Sequence, residues 1–143
     1  MWILFALGAS LFWGIGYVLN EQIYKRISVS TYLALASFAV FIVTLLISYF
    51  SSNLQNDIAT ISSSKKLLFY IISGIVLLIC AELCIGFSIV TKNATLSGLV
   101  EISYPIFIGL FSYLLFKQEI SNSTIIGGII IFLGIFIIYY FNK

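Results

Sequence analysis

Residues 94–116 read ATLSGLVEISYPIFIGLFSYLLF, a run that is apolar almost throughout yet carries a carboxylate at Glu101 and a proline at Pro105. As a helix, 23 residues extend about 35 Å, enough to cross the roughly 30 Å hydrocarbon core of a bilayer. Pro105 has no N–H to offer the carbonyl four residues back, which belongs to Glu101. A charge and a broken backbone bond therefore fall on one turn, and the medium around that turn decides what they mean.

Composition identifies the medium. The 143 residues are 62% hydrophobic, 17% aromatic and 8% charged, with a mean hydropathy of +1.16; an average soluble domain carries roughly 25% charged residues. The charges lie almost entirely between apolar runs, as in a chain threaded repeatedly through a membrane. Five runs are long enough to span: about residues 1–19, 31–50, 67–90, 94–116 and 124–141. The first lacks a basic leading segment and a small-residue cleavage motif, and is expected to be a retained helix. Residues 51–66, SSNLQNDIATISSSKK, are expected to form a polar loop. So little chain lies outside the spans that function must reside in the helices. The expected class is an all-α polytopic membrane protein, a single transmembrane domain over residues 1–143, multi-pass in the plasma membrane.

Much else is excluded. There is no histidine, and the two cysteines, Cys80 and Cys84, sit one turn apart in an apolar run, which suits close packing better than a disulfide or a metal. No cofactor, metal site, nucleic-acid patch or enzyme constellation is expected. Two N-x-[ST] matches, at Asn93 and Asn122, abut apolar runs and read as helix caps.

Five spans place the two ends on opposite sides. Lys65, Lys66 and Lys117 then share one side, and Lys25, Arg26, Lys92 and Lys143 the other. So flat a balance has two readings: the positive-inside rule does not resolve this chain, or the chain inserts both ways and opposite orientations pair as an antiparallel homodimer.

Of five acidic residues, Glu21, Asp57 and Glu119 fall at helix ends or in connections, where charge costs little. Glu82 and Glu101 lie within spans. An ionised carboxylate near a bilayer centre costs about 2.5 to 3.5 kcal/mol on insertion scales, so each must face a partner, a cavity or water, or carry a proton. Ser97, Glu101, Pro105 and Gly109 recur every four residues and share a face; Gly74, Glu82 and Gly86 do the same on the third span. Ser10, Trp13, Tyr17, Asn20 and Tyr24 make an aromatic and polar stripe on the first. Proline breaks in membrane helices line cavities where the freed carbonyl finds a partner, so Glu101 and Pro105 are expected at a cavity wall, with packing beside a kink as the other reading. Trp13, Tyr17 and Tyr104 could stack on a cationic or aromatic substrate or simply pack. On the last span, Gly127 and Gly134, seven apart, form a small-residue surface suited to a dimer seam.

The order of these features resembles a known family. LFWGIGYVLNEQIYKRISVSTY (residues 11–32) is similar to the opening of an EamA domain, and residues 94–138 resemble its fourth and fifth helices, with a mid-helix proline, a glutamate after the helix end, here Glu119, and a glycine-bearing last helix. The resemblance spans nearly the whole chain. It implies the drug/metabolite transporter superfamily, whose usual members have ten spans in two inverted five-helix repeats; one repeat would pair with an inverted copy. Here Tyr104 precedes the proline where that domain often has an acid, and Gln118 stands where a glycine is common. The first span has no central acid, so the proton site of the small multidrug transporters does not carry over. The implied function is export or exchange of a small metabolite or cation, coupled to protons. A flippase for lipid-linked head groups and a non-transporting accessory subunit are the alternatives. Expected partners are a small-molecule substrate, protons, membrane lipids and a second, antiparallel copy.

Overall fold

The computed structural model describes residues 1–51 and 53–141; Lys143, counted in the charge balance above, lies outside them. Among the described residues seven helices follow one another: α1 (Trp2–Tyr24), α2 (Val29–Phe50), α3 (Leu54–Ser63), α4 (Lys65–Thr91), α5 (Ala94–Glu101), α6 (Tyr104–Phe116) and α7 (Asn122–Phe141). Five segments are long and apolar enough to cross a membrane, the fourth being α5 and α6 in series.

Local chemistry sets the ends. Ser28, Ser64 and Asn93 are N-caps whose side chains accept the backbone N–H groups of Thr31, Leu67 and Leu96 at 3.2, 3.3 and 2.8 Å. For α7 the cap differs from the reading of Asn122: Ser121 accepts the Thr124 N–H at 3.2 Å, and Asn122 is already the first helical residue. The connection between α2 and α4 differs too, because much of it is α3. Leu54, Ile58 and Ile61 stand at helical spacing and make one apolar stripe on a polar segment, and α3 packs on α4. That stripe is short enough to be hidden by the surrounding serines and asparagines in a reading for spans alone.

The helices meet around small residues. A Cβ at Gly86 would collide with Cγ1 of Val29, one at Gly98 would lie 3.3 Å from the Tyr17 ring, and one at Gly128 would lie 3.3 Å from Cγ1 of Ile106. Those three glycines bring together α4 with α2, α5 with α1, and α7 with α6. Lipid tails are as apolar as leucine, so close van der Waals approach rather than burial from water joins membrane helices. Accordingly the buried described residues are few, Tyr17, Val29, Gly86, Ile89, Ala94 and Ser97, and leucine, isoleucine and phenylalanine face outward on every span. The core, Tyr17 with Ile89 and Ala94, flanked by Tyr24 and Ile85, sits where α1, α4 and α5 converge.

Candidate functional site

Tyr17 is the centre of that convergence. The residue is 8% exposed, and its ring lies across Gly98, which lets α5 approach. From there its hydroxyl donates to Oε2 of Glu101 at 2.5 Å, linking residues 84 positions apart. Glu101 is the last residue of α5. Glu82, half-buried on α4, lies within electrostatic range of Glu101, Tyr17 and Tyr24. Two carboxyl groups from different helices are thus gathered beside a tyrosine from a third.

The other aromatic candidates frame this cluster unequally. Trp13 packs edge-on against Tyr17, ring centroids 5.6 Å apart, with its other side open. Tyr104, in the first turn of α6, is 56% exposed yet within electrostatic range of Tyr17. Tyr24 turns away to meet Tyr32 edge-on at 5.6 Å, and the Ser10 hydroxyl returns to the Ala6 carbonyl at 3.1 Å. The stripe read along the first span therefore divides, with Tyr17 at Glu101 and Trp13 beside it, Tyr24 on the Glu82 side of the core, and Ser10 turned back on its own helix.

Below the carboxyl groups, α5 is pinned by polar bonds that helical spacing did not reveal. The Ser88 and Ser97 hydroxyls bond at 2.8 Å. Glu21, read from sequence as an inexpensive charge at a helix end, accepts the Ala94 N–H at 2.7 Å through one carboxylate oxygen, while Lys25 lies 3.7 Å from the other. A carboxylate suits the positive end of a helix, and this one comes from another span. Nothing in the local sequence of Glu21 announces a partner 73 residues away. Asn20, its neighbour, keeps a buried Oδ1 that no described group satisfies.

The fourth span breaks at Ile102–Ser103, with Pro105 in the first turn of α6. Ser103 N–H bonds to the Val100 carbonyl at 3.2 Å, and Ile106 N–H to the Ser103 carbonyl at 3.0 Å. Both are three-residue bonds that tighten the backbone beside the missing donor. Glu101 thus sits at the end of a half-helix, three residues before Tyr104 opens the next one. Gly127 and Gly134 have open space within 4 Å of where a Cβ would stand, whereas Gly128 is the glycine of α7 that packs against α6.

Such an arrangement can hold a cationic group or a proton between carboxyl groups, with aromatic faces beside it. No curated protein and no solved structure matches the chain. The family model described as "EamA-like transporter family" does match, over residues 1–140, a stretch that runs from α1 into the last turn of α7 and holds every residue of the cluster. An all-helical chain with five membrane-spanning segments, matched over nearly its full length, belongs to the EamA-like transporter family and is a multi-pass membrane protein of the drug/metabolite transporter type.

Proposed function

We propose that this protein moves a small metabolite or cation across the plasma membrane in exchange for protons, and that Glu101 and Glu82 form the exchange site. The reading rests above all on one observation: two half-buried carboxyl groups from separate helices lie within electrostatic range of each other, beside the Tyr17 hydroxyl. A proton and a cationic ligand compete for the same carboxylate, so occupancy by one excludes the other, which is the minimal requirement of antiport. Trp13, Tyr17 and Tyr104 supply aromatic surface for the ligand. The cluster is open on one side within a single protomer, and an antiparallel second copy would close it, with Gly127 and Gly134 available for the seam.

The test is thermal stability of the purified protein at two pH values with lipophilic cations, amino acids and nucleotide sugars, comparing wild type with Glu101→Gln. A ligand that binds only the folded state raises the melting temperature. The expected result is a ligand class that stabilises the wild type more at the higher pH, where fewer protons compete for the site, and a variant that has lost this pH dependence. Unchanged pH dependence in the variant removes Glu101 from the exchange site. If no class stabilises the wild type, an accessory subunit that depends on a partner protein becomes the better reading.

A further inference from the structure

The end of α4, the start of α5 and the last turns of α7 meet at one membrane boundary, and a cavity of about 290 Å³ lies between them. Ser88 and Lys92 line it from α4, Leu96 and Val100 from α5, and Ile138 and Tyr139 from α7. The lining is graded by depth. Lys92 caps the end of α4, and Tyr139, 63% exposed, stands two residues before the last residue of α7, so an ammonium and a phenol mark the rim. Leu96 and Val100 lead inward along α5, and Val100 lies about 9 Å beyond Ala94 at the helix start. Between these levels the Ser88 and Ser97 hydroxyls bond at 2.8 Å; that bond uses one of their two protons and leaves the other to donate. Lys92 and Tyr139 hold further interactions within the chain, and an ammonium has three N–H groups to share among acceptors.

We propose that this cavity binds one anionic phospholipid, with its phosphate at Lys92 and the two serines and the upper part of an acyl chain along Leu96, Val100 and Ile138. The gradient from a charged rim to an apolar depth is that of the lipid itself, and the cavity lies between spans, at the level where head groups are found. A soluble anion would leave the apolar depth unfilled, and a zwitterionic lipid would bring its own cation towards Lys92. The charge of the boundary points the same way. Among the described residues Lys25, Arg26 and Lys92 share this side with one acid, Glu21, whereas on the opposite side Asp57 and Glu119 accompany Lys65, Lys66 and Lys117. The site is separate from the carboxyl cluster: Leu96 and Val100 each stand two residues from Gly98, which places them across α5 from the Tyr17 ring. A lipid bound there fills the seam where α7 packs on α5, and it does so whether or not the carboxyl groups exchange protons.

Native mass spectrometry of the full chain tests this, with the protein stripped of lipid and titrated in detergent with phosphatidylglycerol or phosphatidylcholine of the same acyl chains. The wild type is expected to bind phosphatidylglycerol about five-fold more tightly, the factor that one basic residue contributes near an anionic head group. Lys92→Gln loses that preference, while Lys92→Arg keeps it, as does Lys117→Gln at the opposite boundary. Val100→Trp, which fills the inner end of the cavity, weakens retention of both lipids. Glycerol phosphate, the same head group without chains, does not displace the lipid. Equal retention of the two lipids by the wild type, or equal losses in Lys92→Gln and Lys117→Gln, overturns the proposal. Displacement by glycerol phosphate also overturns it, in favour of a site for a soluble anion. Should Lys92→Gln not fold, Val100→Trp decides the matter, since undiminished retention of phosphatidylglycerol in that variant places the lipid outside the cavity.

Discussion

Single atoms decide the contacts at the centre of this protein. Gly86 lies under Val29 with Tyr24 alongside, so that an added Cβ has nowhere to go. Gly86→Ala is expected to cost about 1 to 3 kcal/mol, the usual penalty for overpacking a filled site, read as a lower melting temperature in detergent. Gly14→Ala, where nothing lies within 4 Å of the new atom, is expected to be neutral or stabilising by up to about 1 kcal/mol, since alanine is the better helix former. Both glycines look alike in the sequence, each inside an apolar run. The two carboxyl groups were legible there because charge inside a span is costly; Glu21 was not, because charge at a helix end is cheap and its partner is the N-terminus of another span.

Whole helices carry strain and relief of their own. Helix α6 ends at Lys117 with φ 55°, a left-handed conformation, and the Gln118 N–H closes back on the Ser112 carbonyl at 3.3 Å. A side chain in that conformation costs roughly 1 to 2 kcal/mol relative to glycine, offset in part here by the Lys117 ammonium over the Tyr113 ring at 5.4 Å. Lys117→Gly is therefore expected to raise stability by about 1 kcal/mol, checked by reversible unfolding in mixed micelles; a fall would mean that the cation–ring contact outweighs the backbone strain. Most helix limits could be read from the apolar runs and from Asn93, whereas the Ser28 and Ser64 caps emerge only from the structure. The exceptions have physical causes. Helix α3 hides its short stripe among polar residues, and the Ser121 cap is masked by an asparagine beside it. The division of α5 from α6 takes place two residues before the proline that occasions it, because the lost donor is made good by tighter bonds upstream.

At the scale of the molecule, the chain buries little and presents apolar surface on every span, as lipid requires, but its carboxyl cluster is also open on one side. If two antiparallel copies close that cluster along α7, Gly127→Leu and Gly134→Leu will abolish the dimer in native mass spectrometry from lipid. The melting temperature of the single chain in detergent should change little, because nothing lies within 4 Å of where a Cβ would stand at either glycine. A dimer that survives both substitutions places the seam elsewhere or removes it.

What the sequence determined by itself is the medium and the material: the length and apolarity of five spans, the cost of Glu82 and Glu101 inside them, and the proline that must break the fourth. Each follows from transfer free energies and backbone valence, which act on a residue whatever its neighbours are. What only the tertiary structure decided is which groups meet. That Tyr17 rather than Trp13 reaches Glu101, that Glu21 caps α5, and that Gly128 rather than Gly127 packs against α6 depend on how helices rotate against one another. In a bilayer that rotation is settled by contacts of a few tenths of an ångström between small residues, and no hydrophobic pattern along the chain encodes it.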